Sequence, residues 1–468
     1  MFLPACKTGA VQRLTWAALC LATGAPALAQ TAPGIVGQNG WLYYRNELST
    51  PADDAAVDAT IDQISRTQRV LAANGIQLVV AMSPLKIRVH PEQLPADVKL
   101  DAHLTQQYNR IQQKLRAAGV KTADVNAAFL TSPQRTQPMP LYFMRDTHWS
   151  SAGALLAAQT VAQTIQQDPA LKAVWDSAPK VGYTLNWSPR DWPIDGDLKS
   201  QLPKGAPTYD KEMIKVFEVT RDPQAASGGL LGQAAPAITL MGSSYTADWT
   251  NFPAAMRYAL QRDVLSISVD ALRGQWVGLH VYLRDDAFQT TRPKLIVWEM
   301  PERDMRAPSD FQYRENRYRM GRTEWVLRTS AWIQSQCAAG KAVPRVQAAT
   351  IAGASGTANG FSASNSTPEG FIEIGLEPPI DRLEYLSAKL VLSGSRNLVV
   401  EASGPGVATR RIQAEVHGDD TEHEFRLPVV SEDGSRGGFN RLRLYPGTAA
   451  TFSMADVQVC RQPADLLN

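Results

Sequence analysis

The chain has 468 residues, with 47 Lys and Arg against 45 Asp and Glu. This length exceeds what one hydrophobic core usually holds and predicts at least two domains. The balanced charge, without a basic block, argues against a nucleic-acid-binding protein, which usually carries a basic excess or stripe.

The first 29 residues have the pattern of a secretory signal peptide. Lys7 and Arg13 precede an apolar segment that ends in the small-residue sequence Ala27–Ala29, and cleavage is expected directly after it. The apolar segment is too short, and too interrupted by glycine and proline, to make a good membrane span. We therefore predict an exported protein, with an uncleaved N-terminal anchor as the alternative.

Within the predicted domain at residues 30–340, strand-like apolar runs alternate with helical runs from about Val36 to Ala331. Short, almost continuous apolar runs such as Leu78–Ala81 and Leu295–Trp298 are typical of strands that are buried on both faces of a sheet. The longer runs at 104–119 and 153–165 predict helices that cross over between such strands. We predict an α/β domain with a parallel sheet.

The sequence RDTHWSSAGA, Arg145–Ala154, places polar residues between an apolar stretch and a predicted helix. Asp146 stands two residues before His148, so that a carboxylate can hold the imidazole in one tautomer while the other ring nitrogen acts as a base. Ser150 or Ser151 is expected to cap the helix. Taken alone, the DxH pattern also fits a fragment of a metal site or a hydrogen-bonded turn.

A serine turn about a hundred residues later is the second chemical element. The apolar run Ala237–Met241 predicts a strand, and Gly242 then leads into Ser243 and Ser244. Open α/β sheets place ligands at the carboxyl ends of their strands, glycine permits a tight turn, and the following amides can donate to an oxyanion. The alternative is an ordinary glycine-serine loop.

Three further residues are candidates for substrate binding. Arg303 and Lys86 follow apolar strands, where they could meet sugar carboxylates, which arginine binds in bidentate fashion. Surface or interdomain salt bridges are the alternative for both. Tyr245 follows the serine turn and could form a pocket wall or simply pack in the core.

The sequence predicts no metal site and no cofactor. The histidines outside the DTHW sequence, among them His417 and His423, show neither HxH nor HExxH spacing, which argues against a zinc enzyme. No glycine-rich phosphate-binding loop is present either.

The character of the sequence changes after Cys337. Residues 348–370 are small, polar and glycine-rich, and they predict a turn-rich linker. From Phe371, seven short runs alternate with period two and are separated by turn residues, which predicts an all-β sandwich at residues 341–468. By analogy of architecture, such a module behind an exported enzyme binds carbohydrate or a partner protein.

The cysteines agree with export. Cys6 and Cys20 leave with the signal peptide, so that Cys337 and Cys460 remain as an even pair in an oxidising compartment. A disulfide bond between them would close nearly the whole C-terminal third into one loop. Two unrelated buried thiols are the alternative.

Four parts of the sequence together resemble the AlgX/AlgJ family of alginate O-acetyltransferases from Gram-negative exopolysaccharide systems. They are the DTHW loop, the serine turn, GQNGWLYYRNEL at Gly37–Leu48 and VWEMPERD at Val297–Asp304. The order of domains is similar to that of the AlgX type, whose C-terminal carbohydrate-binding β-sandwich the AlgJ type lacks. The resemblance covers essentially the whole mature chain.

The resemblance implies an SGNH hydrolase-like fold for residues 30–340 and a serine-dependent O-acyltransferase. Carried over by motif, Ser244 is the nucleophile, His148 the general base and Asp146 the carboxylate that orients it. Ser243 is the rival nucleophile, and Ser244 is preferred because it stands third in the Gly-x-Ser turn.

The resemblance also implies a periplasmic protein that works in an exopolysaccharide biosynthesis and export complex. Membrane and periplasmic partner proteins would relay the acetyl group to it. The acceptor would be an anionic polysaccharide, with alginate expected and another acetylated exopolysaccharide as the alternative. A secreted SGNH-type acetylesterase and a non-catalytic polysaccharide-binding scaffold remain the competing functions.

Overall fold

The computed structural model describes residues 34–136, 139–223, 235–269, 274–311, 318–349, 351–357 and 360–467. The predicted signal peptide, with Cys6 and Cys20, lies outside these residues. Within the described part of the chain, no helix combines the length and the apolar character that a membrane span requires.

The helices all lie in the first three quarters of the described chain. In chain order they are α1 (Asp54–Ala73), α2 (Lys86–Val89), α3 (Ala102–Ala117), α4 (Val125–Thr131), α5 (Ser151–Gln167), α6 (Pro169–Ser177), α7 (Phe252–Leu260), α8 (Gln275–Arg284), α9 (Asp286–Thr290) and α10 (Arg322–Ile333).

The strands of this part form one central parallel sheet and small antiparallel pairs. They are β1 (Ile35–Val36), β2 (Leu42–Tyr43), β3 (Gln77–Ser83), β4 (Lys121–Ala123), β5 (Tyr183–Trp187), β6 (Trp192–Ile194), β7 (Glu212–Ile214), β8 (Phe217–Arg221), β9 (Ile238–Gly242), β10 (Leu265–Ser268) and β11 (Leu295–Pro301). The central sheet has the order β10-β9-β11-β3-β4, and each of its pairs is parallel. The predicted α/β sheet is confirmed.

Alternate residues of the central strands enter two separate cores. In β3, Val79 and Ala81 pack on the side of α4 to α7, whereas Val80 and Met82 pack on the side of α1, α8 and α10. Burial on both faces explains why these strands read as continuous apolar runs. Because the strands are parallel, β3, β9 and β11 end at the same edge of the sheet, and this edge carries the candidate site.

The segment between α6 and β9 forms an excursion that the sequence analysis did not predict. Here β5 pairs with β8 and β6 pairs with β7, each pair antiparallel. The strands are short and partly exposed, so that they lack the apolar alternation by which strands are recognised. The excursion lies against the DTHW loop, since Glu212 accepts hydrogen bonds from the amides of Met144 and Arg145.

The C-terminal part is a sandwich of two antiparallel sheets. Its strands are β12 (Ala338–Ala339), β13 (Val343–Ala349), β14 (Ser355–Thr357), β15 (Gly360–Ser364), β16 (Phe371–Ile380), β17 (Glu384–Ser393), β18 (Asn397–Gly404), β19 (Val407–Glu415), β20 (Asp419–Pro428), β21 (Phe439–Tyr445) and β22 (Thr451–Arg461). The sheet orders are β13-β16-β21-β18-β19 and β14-β15-β22-β17-β20, with β12 also on β22. One shared core fills the space between them.

The seven alternating runs from Phe371 onward are the strands β16 to β22, as predicted. The glycine-rich segment before them is more ordered than the predicted linker, because β14 and β15 pair with each other and β15 pairs with β22. β14 is the edge strand of this sheet, and β15 lies between it and β22. The exact boundary between the two parts, placed at residue 340, stays a prediction.

A disulfide bond joins Cys337 to Cys460, with the two Cα atoms 5.1 Å apart and a separation of 123 positions in sequence. Cys460 is fully buried in β22 beside Tyr385 and Ala331. Because Cys337 follows α10 and Cys460 lies in the last strand, the bond ties the end of the α/β part to the sandwich. The expected cysteine pairing is confirmed.

Replacing both cysteines by serine, Cys337→Ser with Cys460→Ser, is expected to lower the free energy of unfolding by about 4 kcal/mol, because the unfolded chain regains the freedom of a very long closed loop. Urea denaturation followed by circular dichroism measures the change. The wild-type protein treated with reductant serves as the control and should unfold at the lower urea concentration of the variant. Equal midpoints for the variant and the oxidised wild type would contradict the expectation.

Candidate active site

Asp146, His148 and Ser244 form one chain of hydrogen bonds at the carboxyl edge of the sheet. His148 Nδ1 lies 2.6 Å from Asp146 Oδ1, and His148 Nε2 lies 2.8 Å from Ser244 Oγ. Asp146 and His148 are buried, and Ser244 is half-buried. An imidazole that a carboxylate holds on one nitrogen can accept the proton of a hydroxyl on the other.

The loop that carries Asp146 and His148 is closed by its neighbours in sequence. Tyr142 and Trp149 form an antiparallel bridge across it, and α5 begins directly afterwards with Ser150 as its N-cap, whose hydroxyl accepts from the Gly153 amide at 3.3 Å. A Cβ atom on Gly153 would lie 2.1 Å from the Leu141 carbonyl oxygen. Glycine at this position therefore lets the helix start against the loop.

Both carboxylate oxygens of Asp146 have donors. Oδ1 accepts from the ring and the amide of His148, and Oδ2 accepts from the Asp197 amide at 2.9 Å. Burial by itself would raise the pKa of Asp146, but the hydrogen bond and charge of His148, together with the two amides, lower it to about 2. The carboxylate is therefore ionised at neutral pH and can stabilise a protonated imidazole.

The two serines of the turn after β9 have different surroundings. Ser243 is buried and its hydroxyl donates to Glu299 Oε2 at 2.7 Å, whereas Ser244 faces His148. A Cβ atom on Gly242 would lie 2.7 Å from the same Glu299 oxygen. Glycine is needed there because the carboxylate approaches the backbone so closely.

Glu299 is a functional candidate that the sequence analysis missed. This fully buried residue of β11 accepts from the amide and hydroxyl of Ser243 and from the hydroxyl of Ser83. Burial raises its pKa to about 7, although the bonds from Ser243 act in the opposite direction. The available signal was an acidic residue inside the otherwise apolar run Leu295–Met300, which few buried strands tolerate.

Lys86 does not reach the cleft. Its side chain is fully buried, and its ammonium donates to the carbonyls of Leu42, Met144 and Asp146 at 2.7 to 3.0 Å. Burial lowers its pKa to about 8, against the opposing charge of Glu47. Because three carbonyls already use its three donors, contact with a sugar carboxylate does not fit, and Lys86 instead holds the loop that carries Asp146.

Tyr245 and Arg303 also lie beneath the site rather than on its wall. The buried hydroxyl of Tyr245 donates to the Thr147 carbonyl and accepts from Arg303 Nη1 at 3.0 Å. The Tyr245 ring lies 4.6 Å from the His148 ring, centroid to centroid. These contacts connect the serine turn with the DTHW loop, so that neither expected role, pocket wall or carboxylate binding, fits the position.

A cleft of about 500 Å³ opens beside the hydrogen-bonded chain. Its lining consists of Asp146, Ile194, Asp195, Gly196, Asp197, Lys199, Ser200 and Trp249. Trp249 is 47% exposed, and its ring meets His148 edge to face at 4.8 Å. Most of one wall comes from the unpredicted excursion, which explains why these residues were not among the candidates.

Asp146, His148 and Asp197 place potential ligand atoms within 4.8 Å of one another, so that a cation is chemically conceivable. These atoms are already engaged, however. Asp197 accepts from the amide and the hydroxyl of Thr147, and both nitrogens of His148 have partners. The arrangement suits proton transfer better than metal binding.

The fold and this geometry agree with comparisons to known proteins. The family model described as "SGNH hydrolase-like domain, acetyltransferase AlgX" matches residues 35–302. The chain therefore belongs to this family of SGNH hydrolase-like acetyltransferases.

Two relatives show the sequence similarity. "Probable alginate O-acetylase AlgJ" of Pseudomonas syringae pv. tomato is 31% identical over 293 residues, which cover 59% of this chain and 71% of that protein. "Alginate biosynthesis protein AlgX" of Pseudomonas aeruginosa is 26% identical over 275 residues, which cover 57% of this chain and 55% of that protein.

Two solved structures are also similar. The O-acetyltransferase domain of Pseudomonas putida AlgJ aligns with 59% of this chain and 92% of its own, at 26% identity and a TM-score of 0.50. Pseudomonas aeruginosa AlgX aligns with 92% of this chain and 94% of its own, at 19% identity and a TM-score of 0.64. The AlgX likeness supports the fold over both parts of the chain, as the order of domains in the sequence predicted.

Glu299→Gln is expected to flatten the pH dependence of stability between about pH 5 and pH 8. A carboxyl whose pKa rises from 4.5 to about 7 on folding contributes stability that is fully present below pH 4.5 and is lost as the pH rises through 7, up to about 3 kcal/mol. Glutamine keeps an acceptor oxygen but does not titrate. Urea denaturation at both pH values measures the difference.

The control for this prediction is Glu218→Gln, which changes an exposed glutamate of β8 and should leave the wild-type pH dependence unchanged. If Glu299→Gln behaves like this control, the Glu299 carboxyl does not titrate in the folded protein within this range.

Proposed function

We propose that this protein transfers acetyl groups onto hydroxyls of an exopolysaccharide through an acetyl-serine intermediate on Ser244. The observation that carries the proposal is the hydrogen-bonded chain from Asp146 through His148 to Ser244 in an SGNH-like acetyltransferase domain. Alginate is the proposed acceptor because relatives bear the names alginate O-acetylase and alginate biosynthesis protein.

In the first half-reaction, His148 Nε2 takes the proton of Ser244 as its Oγ attacks the carbonyl carbon of the acetyl donor. Asp146 stabilises the imidazolium that forms, and His148 then gives the proton to the leaving group. Ser244 begins a short 3₁₀ helix, Ser244–Thr246, and the first amide of a helix has no acceptor within it. We assign this amide to the oxyanion of the tetrahedral intermediate.

In the second half-reaction, a sugar hydroxyl replaces the leaving group. His148 removes the proton of this hydroxyl, whose oxygen attacks the acetyl carbon of the intermediate, and the proton returns to Ser244 Oγ as the sugar ester leaves. Water competes at this step. A sandwich that binds the same polymer favours transfer, because it keeps sugar hydroxyls at a high local concentration.

The cleft suggests how the acceptor enters. Its lining carries the carboxylates of Asp195 and Asp197 and a single lysine, Lys199, which pairs with Asp195. A uronate carboxylate would be repelled at this wall. We therefore place the hydroxyl-bearing face of the sugar in the cleft and its carboxylate toward solvent, with Trp249 as an apolar surface for the sugar ring.

The cellular setting is part of the same proposal. We place the mature protein in the periplasm, within a complex that synthesises and exports the polymer. Membrane and periplasmic partner proteins would deliver the acetyl group, since the cytoplasmic donors of such groups are absent from that compartment. The predicted signal peptide supports export.

A secreted polysaccharide acetylesterase is the second candidate. It would use the same three residues, with water in place of the sugar hydroxyl. Ser244 is half-buried and lies beside an open cleft. Water can therefore reach the acetyl-serine, which favours hydrolysis by an esterase. The two functions differ in the fate of the acetyl group.

Ser244→Ala is expected to abolish acetyl transfer, because the attacking oxygen is lost. Intact-mass spectrometry of the mature protein after exposure to an activated acetyl ester should show one acetyl group on the wild type and none on the variant. Adding mannuronate oligosaccharides should remove this acetyl group from the protein and increase the mass of the sugar. Ser243→Ala is the matched control and should still become acetylated.

The same experiment separates the alternatives. Release of free acetate at the same rate with and without oligosaccharide would favour the esterase. If Ser244→Ala becomes acetylated like the wild type, the serine mechanism is wrong and the scaffold function is favoured.

Trp249→Ala is expected to raise KM for the acceptor about 5-fold, because stacking between an aromatic ring and a ligand contributes on the order of 1 kcal/mol. The rate of Ser244 acetylation in the absence of sugar should change less than KM for the acceptor. Steady-state kinetics with varied oligosaccharide concentration measure this difference, and Trp249→Phe should recover most of the affinity. An unchanged KM would show that the acceptor does not contact this ring.

A further inference from the structure

A second carboxylate lies against the DTHW loop and takes no step in the mechanism described above. Asp197 belongs to the excursion between α6 and β9, where it begins the short 3₁₀ helix Asp197–Gln201. Its oxygens accept from the amide of Thr147 at 2.8 Å and from the hydroxyl of the same residue at 2.6 Å. Because Thr147 stands between Asp146 and His148 in sequence, Asp197 holds the middle of this loop.

The backbone of the excursion reaches the loop as well. The Asp197 amide donates to Asp146 Oδ2 at 2.9 Å, and the next amide, that of Leu198, donates to the Arg145 carbonyl at 3.3 Å. Asp146 is therefore held at both oxygens, by His148 on one side and by Asp197 on the other. These contacts keep the partly exposed excursion in a fixed position against the loop.

Thr147 also bonds to the serine turn. Its carbonyl accepts from the buried hydroxyl of Tyr245, which directly follows Ser244 in sequence. The amide, the hydroxyl and the carbonyl of Thr147 thus all have partners, and these partners come from two segments that are distant in sequence. A residue that is fixed in this way leaves little freedom to its neighbour His148.

We propose that Asp197 is a positioning residue of the acetylation reaction. By holding Thr147, its carboxylate fixes the orientation in which the His148 ring meets the Ser244 hydroxyl. The two reacting atoms are 2.8 Å apart, and a displacement of about 1 Å at such a contact can slow a reaction about 100-fold. The inference rests on the proposed function only as far as the acetyl-serine, which transfer and hydrolysis share.

The hydrogen bonds of Asp197, rather than its charge, carry this role. A carboxylate oxygen of Asp197 lies 4.0 Å from His148 Nδ1, which already bonds to Asp146 at 2.6 Å. The Asp197 side chain is 42% exposed, and solvent screens a charge in such a position. Desolvation, followed by the charge of Asp146, raises the pKa of Asp197, so that the two acids are unfavourable neighbours by charge. A neutral amide at position 197 should therefore serve almost as well.

The rate of Ser244 acetylation by an activated acetyl ester without sugar, followed by intact-mass spectrometry, tests the inference. We expect Asp197→Ala to lower the maximal rate about 10- to 100-fold at an unchanged half-saturating ester concentration, because the base is displaced and the ester is not. Asp197→Asn keeps an oxygen that accepts from the Thr147 amide and should recover most of the rate. The matched control, Asp191→Ala, removes another 42% exposed carboxylate of the excursion, which pairs with Lys215 outside the cleft lining, and should react like the wild type.

A double-mutant cycle with Thr147→Val separates this contact from a general loss of structure. Valine keeps the shape of threonine but lacks the hydroxyl that donates to Asp197. We expect Thr147→Val to lower the maximal rate about 5-fold in the wild type and not at all in Asp197→Ala, where the hydroxyl has already lost its acceptor. Thr147→Val and Asp197→Asn test the contact even if the alanine variant does not fold.

The outcomes separate this inference from the proposed function. A wild-type protein that gains no acetyl group on Ser244 would overturn both. If the wild type is acetylated, three results would each overturn the positioning role alone: a wild-type maximal rate for Asp197→Ala, an Asp197→Asn variant as slow as the alanine variant, or additive effects in the cycle.

Discussion

The buried carboxylate of Glu299 holds together the edge of the sheet on which the candidate site depends. It lies in β11, the middle strand, and accepts hydrogen bonds from Ser83 at the end of β3 and from Ser243 at the end of β9. Parallel strands place their carboxyl ends side by side but do not set the path of the loops that follow. Burying this carboxyl group costs free energy, and its three hydrogen bonds offset that cost. The two that come from Ser243 also fix the turn that carries Ser244.

The loop that carries Asp146 and His148 is held in place by polar side chains that are buried or partly buried beside it. Lys86 binds the carbonyls of the loop that carries Asp146, and Tyr245 bonds to Thr147 while Arg303 bonds to Tyr245. Such groups are stable in the interior only when their hydrogen bonds are satisfied. Their common result is that His148 and Ser244, which are 96 residues apart in sequence, meet at hydrogen-bonding distance.

The two parts of the chain meet through both covalent and polar contacts. The disulfide bond lies at one end of the junction, and Arg410 of the sandwich pairs with the buried Glu324 of α10. His417 and His423 lie at another point of the same junction, where they contact the Arg284 carbonyl and the Asp286 carboxylate. If the sandwich binds the polymer, these contacts fix the distance from the bound chain to the cleft, which matters for the effective concentration of the acceptor.

The sequence by itself determined the parallel sheet, the β-sandwich and the cysteine pair, because apolar periodicity and the even number of cysteines are local or compositional signals. It also pointed to Asp146, His148 and the Ser243–Ser244 turn, because a short DxH spacing and a glycine-serine turn after a strand are visible in the chain, and the family resemblance then favoured Ser244. Only the tertiary structure decided that Lys86, Tyr245 and Arg303 lie beneath the site, that Glu299 ties the strand ends, and that His417, Asp419 and His423 cluster. The sequence pattern of a polar residue after a strand is the same whether its side chain points to solvent or into the protein. Packing against segments that are distant in sequence decides between the two orientations.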